Sequence, residues 1–321
     1  MKPLQGRADK KRIAAIDIGT NTILLLIAEL DKNGRFQVLE DRAEITRIGE
    51  GVDRTRRIGS DGAERSLGVL RDYLERCKNV GVDEITAVGT SALRDARNTA
   101  EFIARLKQRL GLDLRILSGE EEASYSYLAV REGLALEGQE VLVVDVGGGS
   151  TEMIWAKGGG LHRWASIDIG SVRLTERFLT SDPVLEEDVA RMISEIDRQL
   201  ERLLVDWGTE RRFPTMVGIA GTFTTLAAIE KRLSAYSHSE VHGCRLSRAE
   251  VQRQVHLFKG KTIAERREIP GLAPKRADVI LAGAVLIDRI MARFHVEQIM
   301  VSDQGIRYGL LHERLRTLWI T

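Results

Sequence analysis

Two stretches of the chain follow one grammar, and together they limit its fold more than any other feature. Residues 13–22 read Ile-Ala-Ala-Ile-Asp-Ile-Gly-Thr-Asn-Thr and lead into the apolar run Ile23 to Ala28. Residues 141–152 read Val-Leu-Val-Val-Asp-Val-Gly-Gly-Gly-Ser-Thr-Glu. In each, an apolar, β-branched strand ends on an aspartate, a glycine turn with small hydroxyl residues follows, and a second strand begins. The aspartates, Asp17 and Asp145, are 128 residues apart. A tight hairpin with an acidic flank would account for one copy. Two copies in matching context predict two similar α/β domains, each offering one hairpin to a shared cleft.

The residue types in these turns suit phosphate. Glycines let backbone N–H groups approach an anion without a Cβ in the way. The hydroxyls add donors. Carboxylates repel phosphate but hold a divalent cation that binds it. The candidate phosphate-binding residues are therefore Gly19, Thr20, Asn21 and Thr22 in the first turn, and Gly147, Gly148, Gly149, Ser150 and Thr151 in the second.

Composition agrees with a soluble protein of about two domains: 321 residues, 43% hydrophobic and 30% charged. The net charge of +1 supplies no field for nucleic acid. Two cysteines, Cys77 and Cys244, form neither a C-x-x-C pair nor a disulfide framework, which fits a reducing compartment. Met1 to Arg12 is basic, without the apolar core of a signal peptide, and reads as a disordered lead to residue 11. No stretch offers about twenty clean apolar residues for a membrane span. Cytoplasm is the expectation.

The order of elements continues the pattern. Strands at 12–18, 22–31 and 35–48 precede a helix over 60–78 with Leu67, Leu70 and Leu74 on one face. Asp31-Lys-Asn-Gly34 reads as a hairpin turn. A strand at 84–89 runs into Thr90 to Asn98, where Arg94 stands at a helix opening. Strand ends are where α/β sheets bind ligands, and a guanidinium fork matches phosphate oxygens. After the short strand 114–117, Glu120, Glu121 and Glu122 open a helix. They suit the helix dipole, but three crowded carboxylates repel, and a raised pKa in one would make it a base. Strands at 140–145, 150–157 and 161–168 repeat the meander. Asp168-Ile-Gly170 mimics the turn grammar a third time but runs into a helix, so it reads as a decoy. A long helix over 183–207 is expected to start with Pro183 at its first position. Met216 to Thr225 is another strand ending in glycines and hydroxyls. His238 and His242 lack the His-Glu-x-x-His spacing and read as loop residues, not ligands. Ser247/Glu250 and Thr262/Glu265 read as capping boxes.

Two such lobes resemble the actin-like ATPase superfamily, that is, two ribonuclease H-like α/β lobes with a cleft between them. Within it the chain is most similar to the exopolyphosphatase/guanosine pentaphosphate phosphohydrolase family. The matching stretches are Ala15-Ile-Asp-Ile-Gly-Thr-Asn-Thr, Gly89-Thr-Ser-Ala-Leu-Arg-Asp-Ala, Ser118-Gly-Glu-Glu-Glu-Ala, Val144-Asp-Val-Gly-Gly-Gly-Ser-Thr-Glu, Gly170-Ser-Val-Arg-Leu-Thr-Glu, Gly218-Ile-Ala-Gly-Thr, Val241-His-Gly, Pro274-Lys-Arg-Ala-Asp and Ser302-Asp-Gln-Gly-Ile-Arg. They run through nearly the whole chain in order. The lobes are expected at 1–125 plus a C-terminal helix at about 303–321, and at 126–302.

The resemblance implies a phosphoanhydride hydrolase. It assigns the catalytic glutamate to Glu122, with Glu121 as its competitor for the role, a second acid to Glu152 and a phosphate-facing arginine to Arg94. It implies Mg²⁺ near Asp145, with Asp17 as a further ligand. The implied substrates are inorganic polyphosphate or guanosine pentaphosphate. Longer relatives carry a C-terminal His-Asp phosphohydrolase-type domain, for which this chain has no His-Asp dipeptide, so the resemblance leaves substrate choice and grip on long polymers open. Rivals are a kinase of the same superfamily and a nonenzymatic actin-like scaffold or sensor. No nucleic acid or membrane partner is expected; a homodimer is the expected assembly, as two-fold pairs are the commonest.

Overall fold

A computed structural model describes residues 10–33, 35–208 and 213–318. Most of the expected lead and Gly34 of the expected turn lie outside these residues. The chain divides into two compact units, Met1–Ala129 with Ile306–Thr321, and Val130–Gly305.

The first unit is built on a five-stranded sheet. Strands β1 (Lys10–Ile18), β2 (Thr22–Asp31) and β3 (Phe36–Ile45) form an antiparallel meander, and β4 (Glu84–Gly89) and β5 (Arg115–Ile116) add in parallel on the other side of β1. The order is β3-β2-β1-β4-β5. The near-continuous apolar runs of β1 and β2 reflect cover on both faces. On one side Ile16, Ile18, Leu25 and Ile27 pack with Leu67, Leu70 and Tyr73 of the helix Ser60–Val80 and Phe102 and Leu106 of the helix Thr99–Leu110. On the other, Ile13, Leu26 and Leu30 pack with Tyr308, Leu311 and Leu315 of the last helix, Ile306–Leu318. β3 is largely exposed and carries Glu40, Asp41, Arg42 and Glu44, charges that suit an edge strand.

The second unit repeats this plan. Strands β6 (Val141–Val146), β7 (Thr151–Lys157) and β8 (Gly160–Ile167) form the meander, and β9 (Thr215–Ile219) and β11 (Gln298–Val301) continue it in parallel beyond β6. A short antiparallel strand, β10 (Arg245–Ser247), closes the edge. The order β10-β11-β9-β6-β7-β8 contains the first sheet's pattern, read from its other end. The duplication extends to register. Asp17 pairs with Leu24 across β1 and β2 as Asp145 pairs with Glu152 across β6 and β7. The turn amides of Gly19 and Gly147 donate to the carbonyls of Thr22 and Ser150, each at 3.0 Å.

Three boundaries differ from expectation. The long helix begins at Glu186, not at Pro183, because Asp182 is engaged elsewhere: its carboxylate accepts the Ile263 amide at 2.9 Å. Ser247 caps its helix, but Glu250 turns to Arg253 and Gln254, so that box is half made. Thr262/Glu265 is a complete capping box. His238 lies not in a loop but in a short helix, His238–Val241.

Gly309 lets the last helix approach the backbone of the first unit. A Cβ there would stand 2.2 Å from the Tyr125 carbonyl oxygen, whereas one on Gly305 would meet nothing within 4 Å. Gly309→Ala is expected to cost about 1–3 kcal/mol as overpacking, and Gly305→Ala to stay near wild type. Urea denaturation of both variants checks this; equal midpoints would refute it.

Candidate active site

The hydrogen bonding of the two glycine turns explains what they can bind. In the first, the Thr20 carbonyl accepts the Gly49 amide at 2.9 Å, and the Asn21 carbonyl accepts the amides of Thr46 and Arg47 at 3.1 and 3.0 Å. In the second, the helix Ser171–Phe178 docks end-on. Ser171 donates to the Gly147 carbonyl at 3.0 Å, Val172 and Arg173 donate to that of Gly148, and Arg173 Nε donates to that of Gly149 at 2.7 Å. The carbonyls of Thr20, Asn21 and Thr22 in the first turn, and of Gly147 to Ser150 in the second, are thus consumed. The amides of Thr20, Asn21, Gly148, Gly149 and Ser150 take no backbone partner among the described residues. A loop with its acceptors used and its donors left over is an anion cradle.

Side chains add to it. The buried Nδ2 of Asn21 has no hydrogen-bond partner among the described residues, a state that costs free energy unless a ligand accepts from it. Gly170, from the expected decoy, is followed by a helix rather than a strand and has a packing role. A Cβ on it would stand 2.5 Å from the Gly148 carbonyl carbon and oxygen, so glycine is what permits the end-on docking.

The acids fall into distinct settings. Asp17, at the end of β1, is 7% exposed, and its Oδ1 has no hydrogen-bond partner among the described residues. Burial pushes its carboxyl from the ordinary 3.8 up to about 6, against the opposing pull of the Arg307 guanidinium. Asp145 and Glu152 face each other directly across β6 and β7. Like charges so placed repel. Glu152 is 3% exposed, and its Oε1 accepts the hydroxyls of Ser150 and Ser166, each at 2.8 Å. An orphaned buried carboxylate oxygen in one unit and two opposed carboxylates in the other are donor sets that suit a hard divalent cation.

The acidic trio at the start of the helix Gly119–Gly133 is split by its partners. Glu121 accepts the Ser118 amide at 2.8 Å while Ser118 Oγ accepts the Glu121 amide at 3.2 Å, a reciprocal cap. That backbone hydrogen bond, with Arg115 at 2.6 Å, holds its carboxyl below the usual range, opposite to the upward shift that crowding alone would give. Glu122 points elsewhere. It is 4% exposed and ion-paired to Arg94, whose Nη1 also donates to the Leu117 carbonyl at 2.9 Å. Arg94 and Glu122, 28 residues apart, meet because β4 and β5 are parallel neighbours whose ends launch their two segments.

Several arginines, Arg173 and Arg307 buried and Arg276 half-buried, carry more of these sites than their sequence positions suggest. Arg173 clamps the second turn as described. Arg307 grips Asp41 through a two-point fork, both contacts at 3.0 Å, with the Tyr308 hydroxyl on the same carboxylate. Arg276 lies against the start of the helix Ala220–Glu230 that follows β9. A Cβ on Gly221 would stand 2.3 Å from its Nη1, and burial pulls its guanidinium below the usual range. Beside it Ala220 holds a φ of +73°, a strained conformation for a residue with a side chain. The available signal was an arginine inside an otherwise apolar or glycine-rich run, as in Val172-Arg173-Leu174.

A duplicated α/β sheet with a phosphate-type hairpin in each copy defines the actin-like ATPase fold. Comparison with known proteins narrows this. The Ppx/GppA phosphatase family model matches residues 26–318. Exopolyphosphatase 2 of Mycobacterium tuberculosis is 34% identical over 311 residues, covering 93% of this chain and 97% of that protein. The guanosine-5'-triphosphate,3'-diphosphate pyrophosphatase of Vibrio cholerae is 29% identical over 309 residues, covering 95% of this chain and 59% of that longer protein. Among solved structures, the Aquifex aeolicus Ppx/GppA family member is 35% identical with a TM-score of 0.79, covering 96% of this chain and 98% of that one. An exopolyphosphatase from Cytophaga hutchinsonii is 29% identical with a TM-score of 0.87, covering 95% and 98%. The chain belongs to the Ppx/GppA phosphatase family and is a phosphoanhydride hydrolase. Among the described residues no helix is long and apolar enough to cross a membrane.

The Asp17 setting makes a pH-dependent prediction. Between about pH 4 and 6 the folded chain keeps a proton that the unfolded chain has released, so stability falls as pH rises through that window. Asp17→Asn removes the buried charge. In chelator it is expected to stabilise the chain above pH 6, by up to about 3 kcal/mol, with the gain shrinking toward zero below about pH 4. Denaturant titrations at both ends of the range measure it; a gain that does not depend on pH would contradict the assignment.

Proposed function

We propose that the chain is an exopolyphosphatase that hydrolyses the terminal phosphoanhydride bond of inorganic polyphosphate and releases orthophosphate. The observation that carries the reading is the pair of register-matched turns with carbonyls consumed and amides left as donors. Such turns suit a ligand that presents phosphate oxygens and little else. The 34% identity to an exopolyphosphatase over almost the full length of both chains supports the same reading.

In this reading Glu122 orients the attacking water and takes its proton. Arg94, anchored by the Leu117 carbonyl, meets the charge on the transferred phosphoryl group. Gly19 to Thr22 and Gly147 to Thr151 hold phosphate oxygens through N–H groups and hydroxyls. Asp145 with Glu152 in the second unit, and Asp17 in the first, are the acids that would hold Mg²⁺, which neutralises charge on the phosphates when bound. The commitment of the Glu121 carboxylate to the Ser118 amide and Arg115 favours Glu122 over Glu121 as the base. Guanosine pentaphosphate is the second substrate reading. It is favoured by the 29% identity to the guanosine-5'-triphosphate,3'-diphosphate pyrophosphatase.

Glu122→Gln is expected to keep the fold and the affinity for substrate while turnover falls about 10²–10⁴-fold, the usual contribution of a general base. Phosphate-release assays with equilibrium binding check it, and near-full activity would remove Glu122 from the role. Glu121→Gln is expected to retain turnover within a few-fold. Release from polyphosphate and from guanosine pentaphosphate, each with and without Mg²⁺, ranks the substrates. Transfer of the phosphoryl group to an added acceptor in place of release, or tight binding without release, would point to a kinase or a sensor.

A further inference from the structure

His238, His242 and Asp303, distant in sequence, come together in the second unit. Their candidate ligand atoms all lie within 4.8 Å of one another. His238 Nδ1 is 2.6 Å from Asp303 Oδ2, and His242 Nδ1 is 3.2 Å from Asp303 Oδ1. The imidazoles stack with centroids 5.0 Å apart and planes 17° from parallel. The Asp303 side chain is 6% exposed, while that of His238 is 52% exposed. The cluster is therefore rooted at its carboxylate and open to solvent at one imidazole.

The protons decide what this cluster needs. His242 Nε2 lies 3.2 Å from the Gly133 carbonyl oxygen, which only accepts, so Nε2 carries the hydrogen. In the neutral ring Nδ1 then presents a lone pair to the Asp303 carboxylate, which also only accepts. Two lone pairs at 3.2 Å repel; the Ser302 hydroxyl, 3.4 Å from Nδ1, is a long donor to that nitrogen, and a cation between imidazole and carboxylate relieves the repulsion directly. A second proton on His242 would serve, but it places an imidazolium face to face with His238. One metal ion would satisfy both imidazoles in their neutral form together with the carboxylate. The carbonyl on the far nitrogen is the partner that ligating histidines ordinarily have, fixing tautomer and ring plane. The Tyr236 hydroxyl supports the carboxylate in the same way, donating to Asp303 Oδ2 at 2.9 Å.

We propose that His238, His242 and Asp303 form a binding site for a divalent transition metal of the Zn²⁺ class. Two imidazole nitrogens and one carboxylate oxygen favour zinc, cobalt or nickel over the magnesium suited to the all-oxygen acids. The site is separate in chemistry and in residues from the acids assigned to phosphate hydrolysis. Its metal ties two segments of the second unit, the chain His238–His242 and the chain that follows β11, while the end of the helix Gly119–Gly133 is reached through the carbonyl on His242 Nε2. The packing there is already close, since a Cβ on Gly133 would stand 2.1 Å from Gln304 Oε1 and 3.4 Å from His242 Cε1.

The test uses the full chain without an affinity tag, stripped by chelator. Co²⁺ titration is followed by visible absorption, and Zn²⁺ loading by metal analysis after gel filtration and by Tm. The wild type is expected to bind one ion per chain with nitrogen-ligand absorption and a rise in Tm. His238→Ala, whose side chain is half exposed, is expected to fold normally and to weaken binding tenfold or more. Asp303→Asn is expected to do the same, and Asp17→Asn to leave this ion in place. Retention of no Zn²⁺ by the wild type, or an affinity unchanged in folded His238→Ala, overturns the proposal.

Discussion

A backbone turn holds an anion by aiming its amides at it while its carbonyls, which repel phosphate oxygens, are turned away to other donors. That constraint is met twice here, by different means. In the first unit the loop at Thr46–Gly49 donates three amides to the Thr20 and Asn21 carbonyls. In the second, the end of the helix Ser171–Phe178 and the Arg173 side chain donate to Gly147, Gly148 and Gly149. The local packing around each turn follows from this. Gly49 must lack a side chain, since a Cβ would stand 2.3 Å from the Thr20 methyl, and Gly170 must lack one to meet Gly148.

The acids are graded by what surrounds them. Glu121 is spent on a helix cap, Glu152 is held by two hydroxyls, Glu122 is paired with Arg94, and Asp17 keeps a buried oxygen without a hydrogen-bond partner among the described residues. Such a site costs stability, and the cost is concentrated where charge has to be handled. The raised Asp17 carboxyl is the clearest instance. The buried arginines offset it: Arg307 bears on Asp17 and is itself held by Asp41 and Tyr308 on the far side. The first unit thus supports its aspartate through the helix Ile306–Leu318, which packs on β1 and β2.

Much of this was legible without coordinates. The repeated turn, the two meanders and the helices that follow them are local patterns of apolar spacing and glycine placement, and they set the α/β class and the duplication. Glu122 and Arg94 could be named from motifs alone. Their ion pair could not be read, because parallel strand pairing brings together residues that sequence spacing keeps apart. The different partners of Glu121 and Glu122 also lay beyond the sequence, since they turn on which carboxylate the Ser118 amide and the Arg94 guanidinium each claim. The start of the long helix went astray at Pro183 because Asp182 is bound to an amide 81 residues away.

The chain alone determined its two sheets, their glycine turns and the family to which they belong, since strand period and turn chemistry act over neighbouring residues. Tertiary structure decided which turn groups are left to donate, which acids are paired and which are orphaned. It also brought His238, His242 and Asp303 together. These outcomes depend on long-range partners competing for the same hydrogen bonds, a competition that no local stretch of residues records.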